Sequence, residues 1–128
     1  MVLAIHHDSG KPIRVGTIAE REGIPARFLV QILLQLKGAG LVTSTRGAFG
    51  GYQLARHPRD ITLWQVVRIF ARDTDRQTTN TELETSISRA LLTVWNDVAD
   101  AERQRLESIT FARLVEQASA ESCNMYYI

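Results

Sequence analysis

The chain has 128 residues, 45% hydrophobic and 23% charged, with a formal net charge of +1. That is one domain's worth of chain, or a small domain plus an association element, with apolar content normal for a soluble core. No apolar run reaches the ~18 residues of a membrane span, so no membrane partner is expected.

The start MVLAIHHDSG lacks the basic region and long apolar core of a signal peptide. A lone Cys123 excludes an internal disulfide and fits a reducing compartment, the cytoplasm by default. The near-neutral total hides an asymmetry. Residues 1–72 hold ten Lys/Arg and four Asp/Glu, a net of +6, while residues 73–128 hold five and ten, a net of −5. A basic front and an acidic rear suit a nucleic-acid-binding head on a separate association element.

Met1–His7 reads as the end of an amphipathic helix and Asp8–Pro12 as a turn. His6 and His7 are adjacent, so they point apart on a helix. Their segment holds no cysteine or carboxylate cluster, so they read as surface histidines and no metal site is expected. Thr17–Glu22 is a short helix that Gly23 can end in a left-handed conformation. Pro25 suits the first position of a second helix, which runs to about Lys37 before Gly38 and Gly40 stop it. That helix has an inward face of Phe28, Leu29, Ile32, Leu33 and Leu36 at spacings of three and four. Arg27, Val30, Gln31 and Leu34 lie opposite. Leu41–Arg46 alternates like a strand, Gly47, Gly50 and Gly51 make a turn, and Tyr52–Ala55 returns as the partner strand.

Helix, turn, helix and hairpin make a winged helix, whose usual partner is double-stranded DNA. The N-terminal end of the second helix would enter the major groove. There Arg27 can reach a guanine edge or a phosphate, and Gln31 an adenine edge. Arg46, where the wing leaves the protein, is placed for phosphates or a minor groove. Gly47, Gly50 and Gly51 would let the wing backbone approach a sugar–phosphate strand, and Tyr52 at the start of the return strand completes the candidate set.

Beyond the wing, His57–Asp60 is a loop. Thr62 caps the next helix, Gln65 completes a capping box, and Ile61 staples to Val66. Val66, Val67, Ile69 and Phe70 make this helix mostly buried, with Trp64 a core or subunit contact. Arg72–Thr81 is polar and aperiodic, a loop. Thr81–Glu84 reads as a capping box opening a long helix to about Glu107, about 26 residues or ~39 Å. Ile87, Leu91, Val94, Val98 and Ala101 form its apolar stripe, with Trp95 beside it. A helix that long exceeds what one small domain covers, so the stripe is expected to meet a second copy across a two-fold axis. Ile109–Phe111 repeats the cap-and-staple pattern, with Ile109 facing Leu114, and the last helix is expected to end near Ala118. The expected division is therefore a winged-helix domain over 1–72, a loop over 73–81, dimerisation and closing helices over 82–118, and a tail over 119–128. The fold class is mainly α, a winged helix with a two-stranded β wing and a long C-terminal dimerisation helix.

No catalytic constellation is visible. Gly47, Gly50 and Gly51 lie between strands, unlike a phosphate loop, which precedes a helix. Asp73 with Asp75 and Glu82 with Glu84 fall in a loop and at a helix start. Cys123 has no basic neighbour to activate it.

The segment IAEREGIPARFLVQILLQLKGAGLVTSTRGAFGGYQLAR, followed by ITLWQVV, closely resembles the Rrf-two family of bacterial transcription regulators. ITFARLV resembles the family's closing helix, so the likeness covers nearly the whole chain; the wing, Arg46–Ala55, is its most specific part. The resemblance implies a homodimer on palindromic DNA, with Gln31 and Arg46 at positions that contact DNA in relatives. Val30 stands where many relatives have Glu, which shifts the expected base preference. Ala48-Phe49 replaces the Pro-Gly common in relatives' wings, so Phe49 is expected to add an apolar wing-tip contact. Relatives also carry a longer first helix than Met1–His7, which implies a shortened form or a start placed downstream. Iron–sulfur members carry three cysteines where this chain has Arg72–Thr81. One cysteine per chain cannot supply the roughly four ligands of a cluster, so no cofactor is expected. The sequence names no sensed signal or small effector. The alternative is a winged-helix module that has lost DNA binding and docks a partner protein.

Overall fold

A computed structural model describes residues 1–71 and 85–125. The expected loop over Arg72–Thr81, the Thr81–Glu84 capping box and Tyr126–Ile128 at the end of the tail lie outside the described residues. Six α-helices and one two-stranded sheet are described. Helix α1 spans Val2–Ile5, α2 Val15–Glu22 and α3 Ala26–Gly38. Strands β1 (Val42–Thr45) and β2 (Gly51–Leu54) follow, then α4 (Leu63–Phe70), α5 (Ser86–Glu107) and α6 (Phe111–Met125).

The core forms where α1, α2 and α3 meet. Val2, Ile18, Leu29 and Leu33 are buried together, with Ile13, Val15, Ile24 and Tyr52 packed around them. Leu29 and Leu33 stand four residues apart on one face of α3, one helical turn. The inward face expected of α3 is narrower than its apolar pattern. Phe28 is 53% exposed and Ile32 37%, which corrects their assignment to the core. The packing explains this: α3 is covered by α2 and β1 along the line of Leu29 and Leu33. Phe28 turns out of that line and lies under the Arg27 guanidinium, 4.9 Å from its ring centre. Ile32 borders an apolar cavity of about 350 Å³ that Leu33, Leu41 and Phe111 also line.

Three boundaries differ from the sequence reading. Helix α2 begins at Val15, two residues before Thr17, with Arg14 as its extended N-cap residue. Pro25 is the residue before α3, and its carbonyl accepts the Phe28 and Leu29 amides at 3.0 and 3.2 Å. Helix α6 continues through Ser119 to Met125 where an irregular tail was expected. Nothing between Ala118 and Met125 breaks a helix, since the segment has no Gly or Pro. Ser119 and Ser122 also turn their hydroxyls back onto the Val115 and Ala118 carbonyls at 2.9 and 3.0 Å.

The expected capping box of α4 is present. The Thr62 hydroxyl accepts the Gln65 amide at 3.3 Å, and the Gln65 side chain accepts the Thr62 amide at 3.1 Å. Ile61, just before it, is 2% exposed. Thr85 and Ser88 cap α5 in the same reciprocal way. Backbone bonds from Leu63 to Ile109 and from Phe111 to Ile61 tie the α6 entry to the α4 entry at 2.8 and 2.9 Å. Arg103 lies over the half-buried Trp64 ring at 5.6 Å, linking α5 to α4. Its hydrogen bond to Glu107 at 2.9 Å holds the guanidinium proton more firmly than usual.

Candidate nucleic-acid interface

Two elements build this face, the N-terminal half of α3 and the wing. Helix α3 starts after the extended Pro25. Its first two turns leave Arg27 and Gln31 exposed and Val30 half-buried on the side away from Leu29. Among the described residues, Arg27 and Arg46 have no carboxylate within 4.0 Å. No carboxylate among the described residues balances either guanidinium, the condition for attracting a polyanion.

The wing pairs Val42 with Leu54, Thr43 with Gln53, Ser44 with Tyr52 and Thr45 with Gly51, antiparallel. Val42 is buried while Thr43, Ser44 and Thr45 are exposed, so the hairpin is rooted in the core at one end and free at the other. Its tip runs from Arg46 to Gly50. The Gly50 amide closes the tip on the Gly47 carbonyl at 3.0 Å. Phe49 is 93% exposed, a large apolar side chain standing in water at the tip.

The glycines of the tip have different duties from those expected. A side chain on Gly50 would strike the Thr45 carbonyl and come within 2.9 Å of the Arg46 carbonyl carbon. A side chain on Gly51 would strike the Ile13 carbonyl and lie 2.9 Å from the Arg14 amide nitrogen. Gly51 also has a φ of +151°. These two glycines admit the protein's own backbone. Gly47 alone of the three has open space around it. Tyr52 packs on the core, so it also shapes the wing from within.

The close approach at Gly51 has a purpose. Ile13 and Tyr52 exchange both backbone hydrogen bonds, each 2.8 Å, so the segment before α2 adds a short third rung to the wing. The Arg14 side chain then donates to the Ala48 carbonyl at the wing tip. Lys11 and Arg14 line a groove with Ala48, Phe49 and Gly50. Lys37, at the end of α3, donates to the Ser44 hydroxyl at 2.7 Å and holds β1 to the helix. Sequence reading missed Lys11, Arg14 and Lys37. Arg14 is 34 residues from Ala48, and no local pattern announces that pairing.

The long helix carries a second surface. Ile87 is 80% exposed, Leu91 66%, Val94 59%, Trp95 65% and Val98 60%, and Ala101 is exposed as well. All six residues expected to meet a second copy stand uncovered on the single chain.

The profile of a family described as "Rrf2: Iron-dependent Transcriptional regulator" matches residues 1–117. The chain belongs to the Rrf2 (Rrf-two) family. It is 32% identical to protein rrf2 of Nitratidesulfovibrio vulgaris over 93% of this chain and 83% of that one. It is 31% identical to the HTH-type transcriptional regulator CymR of Bacillus subtilis over 98% and 88% of the two chains. Among solved structures it is similar to T. potens IscR, with a TM-score of 0.73 and 35% identity over 91% of this chain and 77% of that one. The family thus confirms the winged helix and a place among transcriptional regulators rather than enzymes.

The family description names iron, and the donors of this Rrf2 chain do not fit an iron–sulfur cluster. Its sequence has one cysteine, and Cys123 is exposed on α6. Clusters are held by about four ligands, mostly thiolates. No helix among the described residues is long and apolar enough to cross a membrane.

Gly51→Ala tests the wing attachment. Positive φ and the clash with Ile13 are expected to destabilise the fold by about 1–3 kcal/mol. Hydrogen exchange of the Tyr52 amide should accelerate far more than that of Leu33. Unchanged protection at Tyr52 would show that the wing does not depend on this contact.

Proposed function

We propose that this chain is a sequence-specific DNA-binding regulator that works as a homodimer on two-fold-symmetric sites, without an iron–sulfur cluster. Its place in the Rrf2 family supports DNA binding in general. The observation that carries the finer reading is that two surfaces are left unpartnered on one chain. One is the polar and cationic face of Arg27, Gln31 and Arg46; the other is the apolar stripe of α5.

In this reading the α3 N-terminus enters the major groove. Arg27 takes a guanine edge or a phosphate, Gln31 takes an adenine edge, and Val30 offers methyl groups to a thymine methyl. Arg46 reaches phosphate or the narrow minor groove, and the Gly47 backbone comes close to the strand. Phe49 packs on the sugar edge at the wing tip. Gly50, Gly51 and Tyr52 act at one remove, by giving the wing its shape. Lys11 and Arg14 add positive charge beside the tip.

Two copies pair through Ile87, Leu91, Val94, Trp95, Val98 and Ala101. A two-fold axis through the α5 pair makes the same stripe serve both partners, as an isologous interface requires. The two α3 helices then address half-sites about one helical turn apart, ~34 Å.

Arg46→Ala is expected to weaken binding to an operator-type duplex roughly tenfold, about 1.4 kcal/mol, while leaving the Tm unchanged. It should also reduce the slope of log affinity against log salt by about one. Fluorescence anisotropy across a salt series reads both quantities, and an unaltered affinity and slope would remove Arg46 from the interface. Val94→Asp places a charge in the α5 stripe, so analytical ultracentrifugation should show a dimer for the native chain and a monomer for the variant. A native chain that sediments as a monomer at micromolar concentration would overturn the paired arrangement.

A further inference from the structure

The fold gathers three metal-ligating side chains from distant parts of the sequence. His7 and Asp8 lie in the short 3-10 turn His7–Ser9 that follows α1. His57 follows the wing and opens the turn Pro58–Asp60. One donor atom from each of the three lies within 4.8 Å of the others. The two imidazole rings meet edge to face, their centres 5.0 Å apart at 74°. Among the described residues Asp8 has no cationic partner within 4.0 Å. The sequence reading expected no metal here because the segment of His6 and His7 holds no cysteine or carboxylate cluster; His57, fifty residues on, joins His7 and Asp8 only in the folded chain.

We propose that His7, Asp8 and His57 bind one divalent first-row transition-metal ion, of the zinc, nickel or iron(II) kind. Two imidazoles and one carboxylate suit such borderline cations and disfavour magnesium or calcium, which take oxygen ligands. A tetrahedral ion with bonds near 2.1 Å holds its donors about 3.4 Å apart. The present spacing closes to that by small rotations of side chains at the surface. Solvent supplies the remaining ligand. His6 is turned elsewhere: its Nδ1 meets the Val2 carbonyl at 2.9 Å and its Nε2 meets Arg21 at 3.1 Å.

The His57 Nδ1 accepts the Arg59 amide at 3.1 Å, which puts the neutral ring's proton on Nε2. Coordination through Nδ1 takes the lone pair that now accepts the Arg59 amide, and coordination through Nε2 moves the ring proton to Nδ1. Either way that hydrogen bond is traded for a metal–nitrogen bond with no net proton lost from the ring, so metal capture loosens the cap of the following turn. The ion joins the end of α1 to the base of the wing, beside the Ile13–Tyr52 rung. Metal occupancy would thereby stiffen the wing. That consequence rests on the DNA-binding reading, whereas the binding site itself does not.

The test is calorimetric titration of the untagged full chain with Zn²⁺ alone, repeated for Asp8→Asn, His57→Asn, His6→Ala and Cys123→Ser. His57→Asn keeps an N-cap acceptor for the Arg59 amide. One ion per chain is expected, with a Tm rise of about 5 °C or more at saturating metal. Asp8→Asn and His57→Asn should weaken binding at least about tenfold with the metal-free Tm unchanged, while His6→Ala and Cys123→Ser should bind as the native chain does. If His57→Asn lowers the metal-free Tm, Asp8→Asn alone decides. No saturable uptake below about 100 µM Zn²⁺ would overturn the site. So would native affinity in the deciding variants, or loss of binding in Cys123→Ser. Duplex affinity with and without Zn²⁺ is a separate readout: failure there alone would overturn the coupling to the wing and leave the metal site standing.

Discussion

The candidate interface depends on one backbone contact, between Ile13 and the Gly51–Tyr52 peptide. A two-stranded hairpin is at best marginally stable alone in water. Here it gains a third rung from the segment before α2, through two bonds of 2.8 Å. That rung is possible only because Gly51 has no side chain to meet the Ile13 carbonyl. With the rung in place, Arg14 is carried to the wing tip and Tyr52 is seated on the core. The position of Arg46 and Phe49 relative to α3 is thus set by a contact that neither residue makes.

The architecture was largely legible in the residues, because its signals are local. Thr62 and Gln65 announce their capping box by spacing alone, and the structure closes it. The wing strands fall within a residue of the expected ends, at Val42–Thr45 and Gly51–Leu54. What was not legible depends on contacts between distant segments. Phe28 carries the same three-and-four spacing as Leu29 and Leu33, yet it is exposed because α2 and β1 cover a narrower line than the pattern offers. Arg14 and His57 had no local pattern to mark them. The duty of Gly50 and Gly51 was read as an approach to DNA, whereas their neighbours are Thr45, Arg46 and Ile13 of the same chain. The last helix was expected to end near Ala118, whereas it runs on to Met125 through a segment without Gly or Pro.

The charge asymmetry acquires a structural meaning. The basic residues belong to the half that contains α3 and the wing. The acidic excess falls in the half of the sequence that carries α5.

The most direct test of the central claim is selection of bound duplexes from a random DNA pool by the native chain. A dimeric reader should enrich a two-fold palindrome whose half-sites are centred about one helical turn apart. Enrichment of a lone half-site would contradict pairing through α5. Recovery of no motif at all, with binding that salt abolishes, would contradict sequence reading by α3 and the wing.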